Sequence, residues 1–413
     1  MLKINADRLL NDLKQLRSFG AASPGVVRLA LSPIDMESRR WLADRMSDAG
    51  LDAVVDGVGT VFGRSRKSGA ALLIGSHTDT QPTGGWLDGA MGVIYGLEIA
   101  RALAESKETS HLAVDVASWS DEEGTFAGFL GSRSFIGEPV NETIARARNR
   151  EGQWLKDALE TAGLTGAPRV RLERGRHVAY MEPHIEQGGR LEATGKSIGV
   201  VTAIVGIREL RVRFTGQRNH AGTTPMSIRR DAGAALVGFI ARMNEAFQQL
   251  VASDTVWTVG RIDLDPGSLS VVPGQADMYL QFRDANAARL LAMEQKLAEL
   301  VRDFNSEGGV GAALATLHEP EEPVTMDKAL QEHLANASEA AAPGQWVRMP
   351  SGASHDAQLI ARHIPACMLF VPSIGGVSHD FIEDTAEEHI VLGCQVAATA
   401  AVAILQEMTA RRS

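Results

Sequence analysis

Histidines and carboxylates recur in this sequence where apolar runs end. Gly75-Ser76-His77-Thr78-Asp79 and Ser120-Asp121-Glu122-Glu123-Gly124 each follow such a run, and Asp88 sits in the glycine-bounded Gly84-Gly85-Trp86-Leu87-Asp88-Gly89. His184-Ile185-Glu186-Gln187-Gly188 and Ser378-His379-Asp380 add two imidazoles. Imidazole and carboxylate bind divalent cations, and the chemistry such a set can support is hydrolysis by water activated between two metals. Each motif alone has a plain alternative. His77 with Asp79 can be a surface turn, Asp88 a solvated Asp-Gly turn, Glu122-Glu123 an acidic turn, and His184 and His379 structural histidines. Their weight is collective.

Alternate strand residues face the same way, so Asp79 can accept the second ring N–H of His77 and fix its tautomer. Flanking glycines allow Asp88 a tight backbone from which its two oxygens could bridge two cations. The adjacent Glu122 and Glu123 repel one another unless cations or solvent take up the charge. One of them can bind metal while its neighbour holds the attacking water and passes its proton to a leaving nitrogen. Further on, His220 precedes Ala221-Gly222-Thr223-Thr224-Pro225-Met226 on a loop that could swing over the metals and polarise a carbonyl oxygen. Arg283 lies on the strand face opposite Met278, Leu280 and Phe282 and can fork onto a substrate carboxylate, with a surface salt bridge as its alternative.

The elements that must position these residues alternate. A helix is expected from Asn5, with Leu9, Leu10, Leu13 and Leu16 on one face, and a second over about 35–48. The apolar runs 70–75 and 112–119 flank a helical pattern over 91–103, the βαβ rhythm of a mostly parallel sheet. Ligands that follow such strands fall in the crevice beyond their carboxyl ends. The texture changes near Ile207: a strand with Leu210, Val212 and Phe214 on one face, a helix from Asp231, a strand through Met278, Leu280 and Phe282, and a helix over about 285–305. The chain returns through a helix over 327–341, a run ending Met368-Leu369-Phe370-Val371, and a closing helix over about 387–409. The expected fold is α/β, a mixed, mostly parallel sheet flanked by helices. Residues 1–208 and 328–413 form its discontinuous metal-bearing domain, and 209–327 an inserted α+β domain.

At 413 residues, 44% of them apolar, the chain is long enough for two cores. Forty-one basic against fifty-one acidic residues give a net charge of −10 with no Lys/Arg-rich run, which argues against nucleic acid or an anionic membrane as partner and leaves small molecules. Cys367 and Cys394 lie in apolar surroundings and build no disulfide framework, so a reducing, cytoplasmic setting is expected. The first residues, Met1 to Arg8, lack the apolar core of a signal peptide, and no uncharged apolar stretch is expected to approach the roughly 18 residues of a membrane span.

Read in order, the motifs above resemble the hydantoinase/carbamoylase amidohydrolases of the zinc aminoacylase/carboxypeptidase superfamily. Gly131-Ser132-Arg133, Val272-Pro273-Gly274 and Ser351-Gly352-Ala353-Ser354-His355-Asp356-Ala357 extend the likeness over nearly the whole chain. The resemblance implies two divalent metal ions per subunit, zinc first, with manganese, cobalt or nickel open. One would be held by His77, Asp88 and His184 and the other by Asp88, Glu123 and His379, Asp88 bridging. It implies Glu122 as general base and acid, Asp79 orienting His77, and His220 as the oxyanion-side histidine of a lid. Gln187, Ser270, Arg283 and His355 would lie at substrate-binding positions. It further implies a homodimer through the inserted lid domain, and as substrate an N-carbamoyl-L-amino acid, 3-ureidopropionate, allantoate or ureidoglycolate. The chain departs from the family pattern at Ser270, where asparagine is usual, at Ser354 for glycine, and at Pro183 for leucine. Loss of the asparagine amide removes a donor and an acceptor for substrate, which bears on selectivity more than on the hydrolytic apparatus. The alternatives are an N-acyl-amino-acid deacylase or dipeptidase with the same metals, and a catalytically silent metal- or ligand-binding protein, which retention of both Glu122 and Glu123 disfavours.

Overall fold

Four parallel strands lie at the centre of the sheet that carries most of the candidate residues. In the computed structural model, which describes residues 2–410, Ala366–Val371, His177–Ile185, Ala71–His77 and Ala113–Trp119 run side by side in that order within a nine-stranded sheet. Phe370 lies opposite His184 and His77 opposite Trp119, so the carboxyl ends of the four strands share one edge. Every residue of Ala71–His77 and Ala113–Trp119 is buried. That is why these strands read as continuous apolar runs: strands covered on both faces have no wet side to alternate with.

The sheet is parallel at its centre and antiparallel at its flanks, where Val61–Ser65 pairs with Ala113–Trp119, Leu51–Val55 with Val61–Ser65, and Ile198–Ile204 with Ala366–Val371. Pro183 is tolerated within a central strand because the ladder to Ala71–His77 ends at the Ile74–Met181 pair, so a missing N–H there breaks no bond to that neighbour.

Helix Ala6–Ser18 starts at Asn5, whose side chain accepts the Arg8 N–H, and buries Leu9, Leu13 and Leu16. Helix Pro33–Asp48 is capped by Ser32, and Ala90–Glu105 is buried over nearly its whole circumference. The last helix, Glu387–Ala410, corrects one expectation: at 24 residues it is long and apolar enough, by length and composition, to cross a membrane. Ile390, Cys394, Val396, Ala397 and Ile404 pack in the core with residues of the central strands, and a core helix of this kind has the same composition as a span.

The chain divides into two compact units, the segments before Ala203 and after Val324 forming one and Ala203–Val324 the other. The second has a four-stranded antiparallel sheet, ordered Val256–Asp265, Gln275–Asp284, Gly206–Thr215, Gly311–Thr316. Helices Ala232–Gln248 and Ala287–Ser306 pack on it through Leu236, Phe239, Met243, Leu290, Met293 and Leu297. Leu210, Val212 and Phe214 are buried while Arg211 and Arg213 are not, the period-two pattern of a sheet with one covered face.

Candidate active site

His77 is the last residue of its strand, and Glu122 and Glu123 follow the neighbouring strand after a sharp turn. Asp88 immediately precedes the Gly89 cap of helix Ala90–Glu105, His184 lies near the end of His177–Ile185, and His379 follows Ala366–Val371 by a short loop. These residues converge in two groups, His77 with Asp88 and His184, and Asp88 with Glu123 and His379, the ligand atoms of each group within 4.8 Å of one another. Asp88 belongs to both. Its Oδ1 is 3.2 Å from His184 Nε2 and 3.8 Å from His77 Nε2, whereas its Oδ2 is 3.6 Å from His379 Nε2. Glu122 Oε2 lies 3.6 Å from His77 Nε2, and Glu123 Oε2 lies 3.9 Å from His379 Nε2.

Backbone strain is concentrated here. Asp121, Gln187 and His379 adopt φ values of 54°, 56° and 57°, a left-handed region that L side chains enter at a cost. Each is held there. The Asp121 carboxylate accepts the N–H groups of Phe126 and Ala127, the Gln187 N–H donates to Ser373 Oγ, and the His379 N–H donates to Glu383. The turn at Asp121 is what brings two consecutive glutamates to the strand edge. Gly89, at φ 63°, is required for a further reason: a Cβ there would lie 2.4 Å from Cδ2 and Nε2 of His77. Gly89→Ala is expected to weaken divalent-metal binding by about 10–100-fold. Gly50→Ala, at φ 83° with nothing within 4 Å of the added carbon, should leave it unchanged. Chelator competition on the two variants separates ring displacement from backbone strain.

Burial dominates the electrostatics. It lowers His77, with help from the His184 imidazole, to about 3, and lowers His184 to about 4, so both rings are neutral, the state that ligates metal. It raises Asp79 to about 7 despite the Arg39 guanidinium, and it lifts Asp88 and Glu122 well above the ordinary carboxylate range, with Glu123 adding to both. Glu123 is raised as well, although Gln81 Nε2 donates to its Oε2 at 2.7 Å. Glu123 Oε1 is buried with no donor in reach. Neutral imidazoles, crowded carboxylates and an unpartnered buried oxygen form a donor set that divalent cations fit.

The expected pairing of Asp79 with His77 is realised differently. His77 Nδ1 faces the main-chain carbonyl of Asp79 at 3.0 Å, and the carboxylate Oδ1 stands 4.0 Å away. The paired strand ends at His77, so the alternation of faces along it does not extend to Asp79. The carboxylate instead accepts the Glu123 N–H at 3.2 Å and faces Arg39 at 3.6 Å.

Gln187 Nε2 donates to both Asp88 oxygens at 3.2 Å and to Ser378 Oγ at 3.1 Å. His355, expected at a substrate-binding position, is buried with its Nε2 at 2.9 Å from Ser351 Oγ and its ring 4.5 Å from that of His184. Its ring packs edge-on against His184. His220, Ser270 and Arg283 belong to the second unit. Gly222 and Thr223 donate their N–H groups to His220 Nδ1 at 3.0 and 3.2 Å, which leaves the ring proton on Nε2. Ser270 accepts the Ala221 N–H through its carbonyl, and Arg283 Nε donates to Gln281 Oε1 at 2.8 Å.

Three residues not singled out from the sequence serve this site: Gln81, Glu383, which accepts from Ser378 Oγ at 2.8 Å, and Arg39. Arg39 carried a signal, being paired with Asp35 one turn earlier on the face that also carries Leu42 and Met46. Gln81 and Glu383 lie in irregular segments where no periodicity speaks.

The family described as Peptidase family M20/M25/M40 matches residues 73–403, which include every member of both ligand groups. The chain belongs to that family. Within it, the chain falls in the hydantoinase/carbamoylase amidohydrolase branch. It is 32% identical over 402 residues to an N-carbamoyl-L-amino acid amidohydrolase of Geobacillus stearothermophilus, covering 95% of this chain and 97% of that protein. It is 35% identical over 380 residues to the allantoate amidohydrolase of Escherichia coli (strain K12), covering 90% and 92%. A crystal structure of a hydantoinase/carbamoylase family amidase from Burkholderia phymatum superimposes with a TM-score of 0.95 at 68% identity, over 98% of this chain and 99% of that one.

Proposed function

We propose that this protein is a metal-dependent amidohydrolase that cleaves the linear amide of an N-carbamoyl-L-amino acid or a related ureido acid, with Glu122 as general base. The observation that carries the reading is the division of the Asp88 carboxylate between two ligand groups with Glu122 beside them. His77, Asp88 and His184 would hold one divalent cation and Asp88, Glu123 and His379 a second. Such a pair supplies polarisation of the amide carbonyl and a lowered pKa for water.

The remaining work falls to the chain's own residues. Glu122 accepts a proton from the attacking water and returns it to the leaving nitrogen, a role for which its place beside His77 and outside both ligand groups leaves it available. His220 presents an Nε2–H, the donor suited to an amide oxygen as it gains charge. Arg283 offers a planar fork to the substrate carboxylate, and Ser270 lies in the same unit. A homodimer through the second unit is part of this reading: Val256–Asp265 is an edge strand that exposes Val256, Ile262 and Leu264, the kind of edge that pairs with another chain. So is a cytoplasmic setting, which two buried free cysteines suit.

The test is a panel of N-carbamoyl amino acids, 3-ureidopropionate, allantoate and N-acyl amino acids on metal-reconstituted protein. Ammonia release from a carbamoyl or ureido compound is expected, abolished by chelator and restored by zinc or manganese. Turnover confined to the acyl compounds would replace this reading with a deacylase using the same residues.

A further inference from the structure

Two buried guanidinium groups lie behind the ligand cluster: that of Arg28, whose Nε donates to the Thr78 carbonyl at 2.7 Å, and that of Arg39, which faces Asp79. Arg39, on helix Pro33–Asp48, has no solvent exposure. Its Nε donates to Asp35 Oδ2 at 2.8 Å and its Nη1 to the Gly59 carbonyl at 2.9 Å. Its guanidinium also reaches the Trp119 carbonyl at 3.4 Å, and Asp79 Oδ1 at 3.6 Å. Asp35 Oδ2 in turn accepts the Leu31 N–H at 2.8 Å, so the guanidinium is anchored at its near end and its far end is aimed.

What it is aimed at joins the two ligand groups. Trp119 is the last residue of the strand that delivers Glu122 and Glu123, and Asp79 is two residues beyond His77. The Asp79 carboxylate accepts the Glu123 N–H, and the Asp79 carbonyl faces His77 Nδ1. One fork therefore touches both strand ends, one supplying a ligand of the first group and the other a ligand of the second.

We propose that Arg39 is a positioning residue for the metal centre, holding Asp79 and the Trp119 carbonyl so that His77 and Glu123 keep their separation. The inference rests on the metal reading above. Asp79 Oδ1 is buried without a hydrogen-bond partner and faces the Arg39 guanidinium at 3.6 Å, so removing Arg39 leaves the carboxylate held through Oδ2, which accepts the Glu123 N–H, and strips Oδ1 of its nearest compensating charge. Lysine supplies the charge but not the fork, and can satisfy Asp35 or Asp79 but not both together with the Gly59 carbonyl.

The test uses the full chain with Co2+ and Zn2+ as probes, read by chelator competition and by the visible absorption of the Co2+-loaded protein. Arg39→Met is expected to weaken binding by about 10–100-fold and to change the cobalt spectrum, and Arg39→Lys to recover part of both. Asp35→Leu with Arg39→Met removes both buried charges at once and guards against simple misfolding of the single variant. It should bind metal as weakly as Arg39→Met while melting higher in metal-free form. A purely structural role would lower the melting temperature yet leave metal affinity and spectrum at wild-type values in the folded variants, and that result overturns the proposal. Wild-type protein that binds neither ion would instead overturn the metal reading, and this inference with it.

Discussion

Glu122→Gln is expected to reduce kcat by about 10²–10⁴-fold, or roughly 3–5 kcal/mol of barrier, while metal stoichiometry stays at the wild-type value. The amide keeps the shape of the side chain and its place 3.6 Å from His77 Nε2, but it cannot accept a proton from water. Glu122 is in neither ligand group, which is why loss of turnover and retention of metal should separate in this variant. The measurement is steady-state ammonia release on the best substrate of the panel, paired with metal analysis of the same preparation. Activity within threefold of wild type would remove Glu122 from the role of base, and metal loss would make it a ligand.

Asp88→Ala should have the opposite signature. Because Asp88 is the one member common to both groups, its removal is expected to weaken binding of both cations, each by about 100-fold or more, and to take turnover with them. Glu123→Ala or His379→Ala should weaken one ion and spare the other, since each belongs to a single group. Gln187, whose amide donates to both Asp88 oxygens, would lose that partner too, so Asp88→Ala also tests whether its loop needs the contact. Titration of metal-free protein, fitted for the number of ions bound, distinguishes the variants. An Asp88→Ala chain that still binds two ions with unchanged affinity would end the idea of a shared carboxylate.

Much of the scaffold was legible from local pattern. The strands Ala71–His77 and Ala113–Trp119 were visible because burial on both faces makes a strand predominantly apolar, with Asp115 the one charge inside them, and the helices at residues 6–18, 232–248 and 287–306 because each buries a stripe with a period near 3.6. The hairpin Leu51–Val55 with Val61–Ser65 was not, since it is short and Gly63 and Arg64 break its pattern. Helix Glu387–Ala410 reached the length of a membrane span where none was expected, because core helices and spans share a composition.

The sequence by itself determined the kinds of group available and the ends of elements at which they stand: His77 closing a strand, Glu122 and Glu123 after the next, Asp88 before a helix, His184 and His379 in later segments. Only the tertiary structure decided that the Asp88 oxygens divide between two groups, that the Asp79 carbonyl rather than its carboxylate meets His77, and that Arg39 stands behind both strand ends. The reason is physical. Periodicity reports which way a side chain points within its own element, whereas convergence depends on strand order and on left-handed turns at Asp121, Gln187 and His379, held by hydrogen bonds within irregular loops and, for Gln187, from distant Ser373.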